Sequence, residues 1–166
     1  IKQIKKIFKN HLILIVDDST NNKIKKKISK YRNIKYFKRN NKSGRGSAVI
    51  FGMKHMIKEK KIDVIVEMDT DLSSHPRELP KNIKFFKKEK LDLLIMSRYL
   101  PGSKIINWPL RRRIFSFFSN KLANFLLKAN VSDYTMGYRI YSKKAVIQIA
   151  NNCGKVGSGF IVLSEI

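Results

Sequence analysis

The sequence predicts an α/β fold in which a mostly parallel sheet is flanked by helices on both faces. Strand-like apolar runs alternate with helix-like segments along the chain, which is the order typical of βαβ units. Polar residues directly follow several of the runs, and ligands bind at the carboxyl ends of the strands in such sheets. The length of 166 residues and the apolar fraction of 43% suit one packed domain, residues 1–166.

The first half of the chain supplies three predicted strands and two helices. The strands are short apolar runs bounded by polar residues: "HLILIVDD" (11–18), "NIKYFKR" (33–39) and "DVIVEMD" (63–69). Residues 20–31 predict a solvated helix, and "SGRGSAVIFGMKHMIKE" (43–59) predicts a Gly-rich turn that enters a second helix.

The second half continues the alternation. Its predicted elements are a helix over 75–90 with proline in its first turn, a strand over 91–99, a proline-containing loop, a long apolar helix over about 110–129, a short strand over 137–142 and a helix over 143–151. The chain opens on "IKQIKKIF", typical of the end of an amphipathic helix, and closes on "GFIVLSEI" without a stop signal. We therefore expect a fragment truncated at both ends.

The charge of the chain predicts an anionic partner. Lys and Arg number 36 against 12 Asp and Glu, a net charge of +24, which points to nucleic acid, a membrane surface or phosphorylated substrates. The alternative is a solvated surface, because the lysines are scattered along the whole chain. The single cysteine, Cys153, excludes an internal disulfide and fits a reducing compartment. The three histidines have no metal-binding spacing.

Two acids stand where the third predicted strand ends. Asp69 and Asp71 are two residues apart, so in an extended chain their side chains point the same way. Two bare carboxylates that close repel each other, and a divalent cation removes the conflict. Mg²⁺ and Mn²⁺ prefer such oxygen ligands and often bridge carboxylates to substrate phosphates. The alternative is a helix N-cap and turn formed by Asp71 and Ser73.

Two further segments predict phosphate binding. The turn "KSGRGSA" could cradle phosphate at a helix N-terminus, although it is neither a P-loop nor a dinucleotide fingerprint, and a plain connection is the alternative. In "NWPLRRRIFSFFSNKLANFLLKA", Arg112 and Ser116 share a helix face and could grip a phosphate. The rest of this helix is apolar on more than one face but is interrupted by polar residues. We interpret it as a membrane-interface helix with Trp108 near headgroup level, and a core helix is the alternative.

Six blocks of the chain, taken together, resemble glycosyltransferase family 2, in particular its dolichol-phosphate and polyprenol-phosphate mannosyltransferases. In chain order they are "VDDST", "RNNKSGRGSAVIFGM", "VEMDTDLSSHPRELP", "LLIMSRYLPGS", "NWPLRRRIFSFFSNKLANFLL" and "SDYTMGYRIYSKKA". The resemblance implies a GT-A fold and an inverting transfer of a hexose, expected to be mannose, from a nucleotide sugar to a polyprenyl or dolichyl phosphate. A different donor such as UDP-glucose, or a saccharide acceptor, is the alternative.

The resemblance also implies a cofactor, partners and a location. The cofactor is Mg²⁺ or Mn²⁺. The partners are a nucleotide sugar, expected to be GDP-mannose, a polyprenyl phosphate and a membrane surface, with no nucleic acid. The implied location is cytoplasmic, peripheral at the cytosolic face of the membrane.

The resemblance assigns roles to ten residues of this chain. The nucleotide sugar is expected at Asp17, Asp18, Lys42 and Asp69, the metal at Asp69 and Asp71, the lipid phosphate at Arg98, Arg112 and Ser116, and the catalytic groups are expected to be Asp71, Asp133 and Arg139. A phosphate monoester has a second pKa of about 6, so the acceptor is largely a dianion at neutral pH and needs no strong general base.

Two functions from other classes compete with this one. A basic nucleic-acid binder is supported by charge alone, because the sequence contains no helix-turn-helix, zinc or RNP-type motif. A catalytically inactive peripheral membrane module would bind liposomes without turnover.

Overall fold

The computed structural model describes residues 1–40, 43–70, 75–103, 105, 108–157, 159 and 161–166, and within them the predicted α/β class is confirmed. The strands are β1 (Ile13–Asp17), β2 (Ile34–Lys38), β3 (Val64–Glu67), β4 (Leu93–Ile95) and β5 (Arg139–Ser142). The helices are α1 (Lys2–Ile7), α2 (Lys23–Ile28), α3 (Gly44–Met56), α4 (Leu79–Lys88), α5 (Leu110–Leu127), α6 (Lys143–Asn152) and α7 (Val162–Glu165). A 3₁₀ turn, Pro76–Glu78, precedes α4.

The strands form two hydrogen-bonded groups. β1 and β2 pair in parallel, in register from Ile13 opposite Ile34 to Asp17 opposite Lys38. β5 lies between β3 and β4 and runs antiparallel to both. A mostly parallel sheet was predicted, and the β1–β2 pair agrees with it. Which strand runs in the opposite direction, β5, was not predicted. The chain leaves β4 and re-enters β5 at the same end of the sheet, so the connection that contains α5 does not cross from one end of the sheet to the other.

This arrangement gathers three strand ends at one place. Glu67, the last residue of β3, and Ile95, the last of β4, both stand opposite Arg139, the first residue of β5. Residues that follow β3 and β4, and those that precede β5, therefore meet at one edge of the sheet. Asp69, Arg98 and Asp133 belong to these segments, whereas Asp17 and Asp18 lie at the end of β1.

The core packs α3 and α6 against the second group of strands. Its buried members are Ile50, Met53, Ile65, Tyr141, Val146, Ile149, Ala150 and Val162. Full burial of one such aliphatic side chain contributes about 1.5–3 kcal/mol. α6 begins where the Ser142 hydroxyl accepts a hydrogen bond from Ala145 N at 3.1 Å, a favourable N-cap. This core fixes β3, β5 and α3 relative to one another.

The first turn of α3 is pressed against the C-terminal segment. A Cβ at Gly46 would lie 2.3 Å from Gly159 O and 2.5 Å from the Val162 side chain. Only glycine permits so close an approach. The neighbouring side chains of Arg45 and Ser47 are therefore held in fixed positions at the start of the helix.

β4 is much shorter than the strand predicted over residues 91–99. Ser97 N donates to Ile95 O at 3.0 Å, and this tight turn ends the strand. Arg98 therefore lies in a loop beyond the strand, where its side chain can reach other segments.

α5 is not a core helix. Asn120 is its only buried residue, and the whole of α5 is described. Its exposed apolar side chains are Leu110, Ile114, Phe115, Phe117, Phe118, Leu122, Phe125, Leu126 and Leu127. In this chain α5 therefore turns a narrow face around Asn120 inward and presents most of its apolar side chains to solvent. Across the described part of the chain, no helix combines the length and apolarity needed to span a bilayer.

Candidate active site

The first acidic group lies at the carboxyl end of β1. Asp17 is 3% exposed, and its carboxylate accepts hydrogen bonds from Ser19 N at 2.8 Å and from the Tyr36 hydroxyl at 2.7 Å. Burial acts to raise the pKa of Asp17, but these hydrogen bonds hold it below the ordinary value. The same contact raises the pKa of Tyr36 to about 12. The shared end of β1 and β2 therefore holds an ionised carboxylate.

Asp18 forms a bidentate ion pair with Arg39, the residue after β2. Arg39 Nε donates to Asp18 Oδ1 at 2.6 Å, and Arg39 Nη2 donates to Asp18 Oδ2. Arg39 Nη1 donates to Ser47 Oγ at 2.8 Å, and Nη2 contacts Gly44 O at 3.3 Å. The pair therefore connects the ends of both strands to the first turn of α3.

Asp69 is paired with an arginine from the same turn of α3. Arg45 Nε and Nη2 donate to Asp69 Oδ1 at 3.2 and 3.1 Å, and Nη2 donates to Glu67 Oε1 at 2.8 Å. The Asp69 side chain is 41% exposed, whereas that of Glu67 is 11% exposed. Asp69 therefore faces solvent with one oxygen already in contact with a cation.

Glu67 holds Arg45 from the buried side of the Arg45–Asp69 pair. Its Oε2 accepts a hydrogen bond from the Tyr141 hydroxyl at 2.7 Å, while Arg45 occupies Oε1. Burial raises the pKa of Glu67, although Arg45 and Tyr141 favour the carboxylate form. Both oxygens are used inside the protein, so Glu67 anchors Arg45 and does not face a ligand.

Arg98 and Asp133 are brought together as a pair. Asp133 is fully buried, and it accepts hydrogen bonds from Arg98 Nε at 2.7 Å, Arg98 Nη2 at 2.7 Å and Arg98 N at 3.1 Å. Burial acts to lower the pKa of Arg98, but Asp133, and more weakly Asp69, raise it above the ordinary value. Asp69 is thus close enough to Arg98 for the two charges to interact.

Arg98 also shares an aromatic ring with Arg112. The guanidinium carbons of Arg98 and Arg112 lie 4.7 and 4.0 Å from the centroid of the Trp108 ring. Such cation–π contacts hold a guanidinium without neutralising it. The two arginines predicted to bind lipid phosphate therefore both contact the Trp108 ring.

Ser116 completes the predicted phosphate group. It lies one helical turn beyond Arg112 in α5, and its Oγ accepts a hydrogen bond from the Tyr99 hydroxyl at 2.6 Å. Tyr99 follows Arg98 directly, so Arg98, Arg112 and Ser116 are linked through two aromatic side chains. An open groove of about 600 Å³ adjoins them, lined by Arg111, Arg112, Ile114, Phe115 and Phe118.

Arg139 does not face this site. It is 1% exposed, and its guanidinium donates to the carbonyl oxygens of Met136 at 2.7 Å, Tyr134 at 2.6 Å and Leu163 at 3.0 Å. These contacts tie the loop before β5 to α7. We assign Arg139 a structural role, because its buried guanidinium donates to backbone carbonyls; this differs from the catalytic role predicted for it.

Two of the predicted residues, Asp71 and Lys42, lie outside the described residues. Among the residues that the structure does describe, no group of three His, Cys, Asp or Glu side chains could hold a metal ion.

Sequence reasoning missed Arg45, Tyr36 and the double role of Trp108. Arg45 lies inside the Gly-rich turn that predicts phosphate binding, and its charge is the local signal that distinguishes it there. The pairing of Tyr36 with Asp17 follows from the β1–β2 register, which places Tyr36 beside Ile15, and no local motif reveals it. The Trp108 contacts depend on how the loop before α5 enters the helix at Leu110.

The chain matches a family model described as glycosyl transferase family 2 over residues 1–150. It is 34% identical over 133 residues to the undecaprenyl-phosphate mannosyltransferase of Micrococcus luteus, covering 78% of this chain and 54% of that protein. It is 37% identical over 111 residues to the polyprenol monophosphomannose synthase of Mycolicibacterium smegmatis, covering 67% and 41%. It is 33% identical over 163 residues to the dolichol-phosphate mannosyltransferase of Pyrococcus furiosus, covering 95% and 44%. The chain thus spans about half the length of these relatives.

Proposed function

The chain belongs to glycosyl transferase family 2, and from that premise we propose that it transfers mannose, with inversion, from a nucleotide sugar to a polyprenyl phosphate at the cytosolic face of a membrane. The three relatives named above are described as mannosyltransferases or a phosphomannose synthase, and their names carry the proposed sugar and acceptor.

One observation carries the acceptor assignment: Arg98 and Arg112 share Trp108 at the base of an exposed apolar helix. A guanidinium recognises phosphate by charge and by its planar array of donors. Phe115 and Phe118, which line the groove beside Arg112, suit an alkyl chain. An anionic head on an apolar tail is the chemistry of a polyprenyl phosphate.

The donor is proposed to bind at the carboxyl ends of β1 and β3, through Asp17, Asp18 and Asp69, with Lys42 nearby in sequence. The first turn of α3 contacts both acidic positions, since Arg39 reaches Ser47 and Arg45 reaches Asp69. A single rigid element therefore supports the proposed nucleotide and diphosphate subsites together. GDP-mannose is the donor we expect.

A divalent metal fits the residues present. Asp69 presents hard carboxylate oxygens and is partly exposed at the end of β3. Asp69 and Asp71 would hold Mg²⁺ or Mn²⁺, which supplies positive charge opposite the departing diphosphate. Donor phosphates are proposed to supply further oxygen ligands to the ion.

The chemistry asks the protein for positioning more than for proton transfer. A phosphate oxygen of the acceptor attacks the anomeric carbon, and the bond from that carbon to the nucleoside diphosphate breaks, with its electron pair leaving on the diphosphate. The acceptor is already largely a dianion, because its second pKa is about 6. Arg98 and Arg112 would orient it, and Asp133 would position Arg98.

The exposed face of α5 is proposed to lie on the membrane. Phe115 and Phe125 are 76% and 77% exposed, and amphipathic helices bury such side chains at the headgroup boundary. This orientation would bring the polyprenyl chain to the groove from the bilayer.

The proposal is tested with the purified protein and a panel of nucleotide sugars, using undecaprenyl and dolichyl phosphate as acceptors. GDP-mannose should give the fastest transfer, and EDTA or Asp71→Ala should abolish it, whereas the exposed control Asp63→Ala should not. Faster transfer from UDP-glucose would show that the donor assignment is wrong, and faster transfer to a neutral saccharide would show that the acceptor assignment is wrong. Undiminished transfer with EDTA would show that the reaction does not need a divalent metal.

The two competing classes make different predictions in the same preparation. A nucleic-acid binder would show a salt-dependent shift with DNA and no binding of nucleotide sugar. An inactive membrane module would bind liposomes and transfer no sugar. Either result would overturn the proposed function.

A further inference from the structure

Arg45 stands at the position where the proposed metal would bind. Its Nε and Nη2 lie 3.2 and 3.1 Å from Asp69 Oδ1, and Nη2 lies 2.8 Å from Glu67 Oε1. A carboxylate oxygen that accepts from a guanidinium has part of its charge already compensated. Any cation that binds Asp69 meets this positive charge at close range.

The position of Arg45 is built into the fold. Gly46 presses the first turn of α3 against residues 159–162, and the side chain lies against Gly137, where a Cβ would approach Nη2 to 1.8 Å. Glu67 fixes the guanidinium from the buried side, and Tyr141 fixes Glu67. The pair differs in this respect from a flexible surface ion pair, which contributes little.

We propose that Arg45 is a resident counter-ion of Asp69 that competes with the divalent metal and thereby weakens metal binding at this site. The inference rests on the proposed function, from which it takes the metal at Asp69. When metal binds, Arg45 keeps its contact with Glu67 and gives up part of its contact with Asp69. The metal-free protein then contains no uncompensated charge at Asp69.

The test measures Mn²⁺ binding by electron paramagnetic resonance, without donor, acceptor or turnover. Arg45→Met alone would strand the buried Glu67 carboxylate, so the informative comparison is Arg45→Met/Glu67→Gln against Glu67→Gln. Both proteins lack the buried carboxylate, and only the second keeps the guanidinium beside Asp69. Removing a cation at about 3 Å should tighten Mn²⁺ binding about tenfold, allowing for solvent screening.

Three further proteins make the outcome decisive. Arg45→Gln/Glu67→Gln should show the same gain, which keeps the test valid if the methionine variant fails to fold. Adding Asp69→Asn to either double variant should abolish the gain, because it removes the shared carboxylate. Wild type should bind Mn²⁺ at least as tightly as Glu67→Gln, because the Glu67 carboxylate offsets part of the Arg45 charge beside Asp69.

Equal or weaker Mn²⁺ binding in the double variants would overturn the inference. If wild type still binds Mn²⁺ in that case, the proposed function stands and only the role of Arg45 falls. If none of the proteins binds Mn²⁺, either alone or after addition of a nucleoside diphosphate, the metal in the proposed function falls together with the inference.

Discussion

The two sides of the candidate site treat their charges differently. At the ends of β1 and β3, Asp17, Asp18 and Asp69 each accept hydrogen bonds from side chains of other elements. At the start of α5, Arg112 lies over Trp108 and, within the described residues, forms no ion pair. The carboxylates of the acidic side therefore already interact with donors inside the protein. The guanidinium of Arg112, on the basic side, keeps a charge that is open to an anionic ligand.

Arg98 belongs to both sides and shows what the difference means. Its guanidinium is held by the buried carboxylate of Asp133, yet its side chain is still 19% exposed and contacts the Trp108 ring. A fully compensated arginine can fix geometry, while a neighbour without an ion pair supplies net charge. We infer that Arg98 orders the phosphate site and that Arg112 provides most of its attraction.

The largest effect is expected from breaking the Arg98–Asp133 pair. Asp133→Ala should lower the free energy of unfolding by about 3–5 kcal/mol, because it leaves a largely buried guanidinium without its carboxylate. Urea unfolding measures this change. Asp63→Ala, at an exposed acid, should stay within about 0.5 kcal/mol of wild type. A similarly small change at Asp133 would mean that the pair does not order the loop.

A smaller effect is expected when the ring shared by the arginines is removed. Trp108→Leu should raise the acceptor KM about tenfold, because two cation–π contacts of about 0.5–1 kcal/mol each are lost. The donor KM should not change, and Trp108→Phe should retain part of the effect. Tyr31→Leu is the matched control, since Tyr31 contacts Lys5 and Lys30 at 5.5 and 5.8 Å away from the site. An equal change in acceptor KM in the Trp108 and Tyr31 variants would show that Trp108 does not position the two arginines.

The compensated side can be probed by pH. The pKa of Asp17 is lowered, so its contribution to stability is present above the ordinary carboxyl pKa and is lost as the pH falls through the lowered value. The pKa of Tyr36 is raised to about 12, so its contribution is present below 10 and is lost as the pH rises toward 12. Tyr36→Phe should therefore destabilise the protein most between these limits.

Urea unfolding at several pH values checks this prediction. The difference between Tyr36→Phe and wild type should shrink in acid and again in alkali. A difference that does not vary with pH would show that the hydroxyl does not share a proton equilibrium with Asp17.

The smallest effect on stability is expected on the exposed face of α5. Phe125→Ser should change the free energy of unfolding by less than about 0.5 kcal/mol, because Phe125 is already 77% exposed. Binding to lipid vesicles should fall about tenfold or more, since one aromatic side chain leaves the bilayer boundary. Phe85→Ser, on α4, is the control and should bind vesicles as wild type does. Loss of stability without loss of vesicle binding would place α5 against protein.

Local pattern predicted the elements better than their arrangement. The sequence pattern located the five strands that the described residues contain, and four of them were found as short apolar runs. β4 ended early at the turn made by Ser97 N and Ile95 O, which depends on the backbone and not on residue type. The antiparallel direction of β5 depends on where the chain re-enters the sheet after α5, and no local period encodes that.

In the candidate site, too, local spacing could be predicted from the sequence and contacts between distant segments could not. Arg112 and Ser116 could be placed together because helical spacing is local. Arg98 and Asp133 are 35 positions apart and pair because the ends of β4 and β5 meet at one edge. Arg45 and Asp69 are 24 positions apart and pair because α3 packs against β3. Arg139 shows the reverse case, since its motif suggested chemistry while its burial makes it a structural tie.

The most direct test of the acceptor assignment is Arg112→Ala, assayed for both substrates. Loss of a charge-assisted contact worth about 1.5–3 kcal/mol should raise the KM for polyprenyl phosphate roughly ten- to hundredfold, while donor affinity stays as in wild type. Arg113→Ala, one position along α5, should leave both unchanged. An unchanged acceptor KM, or a selective loss of donor affinity, would contradict the assignment of this arginine to the lipid phosphate.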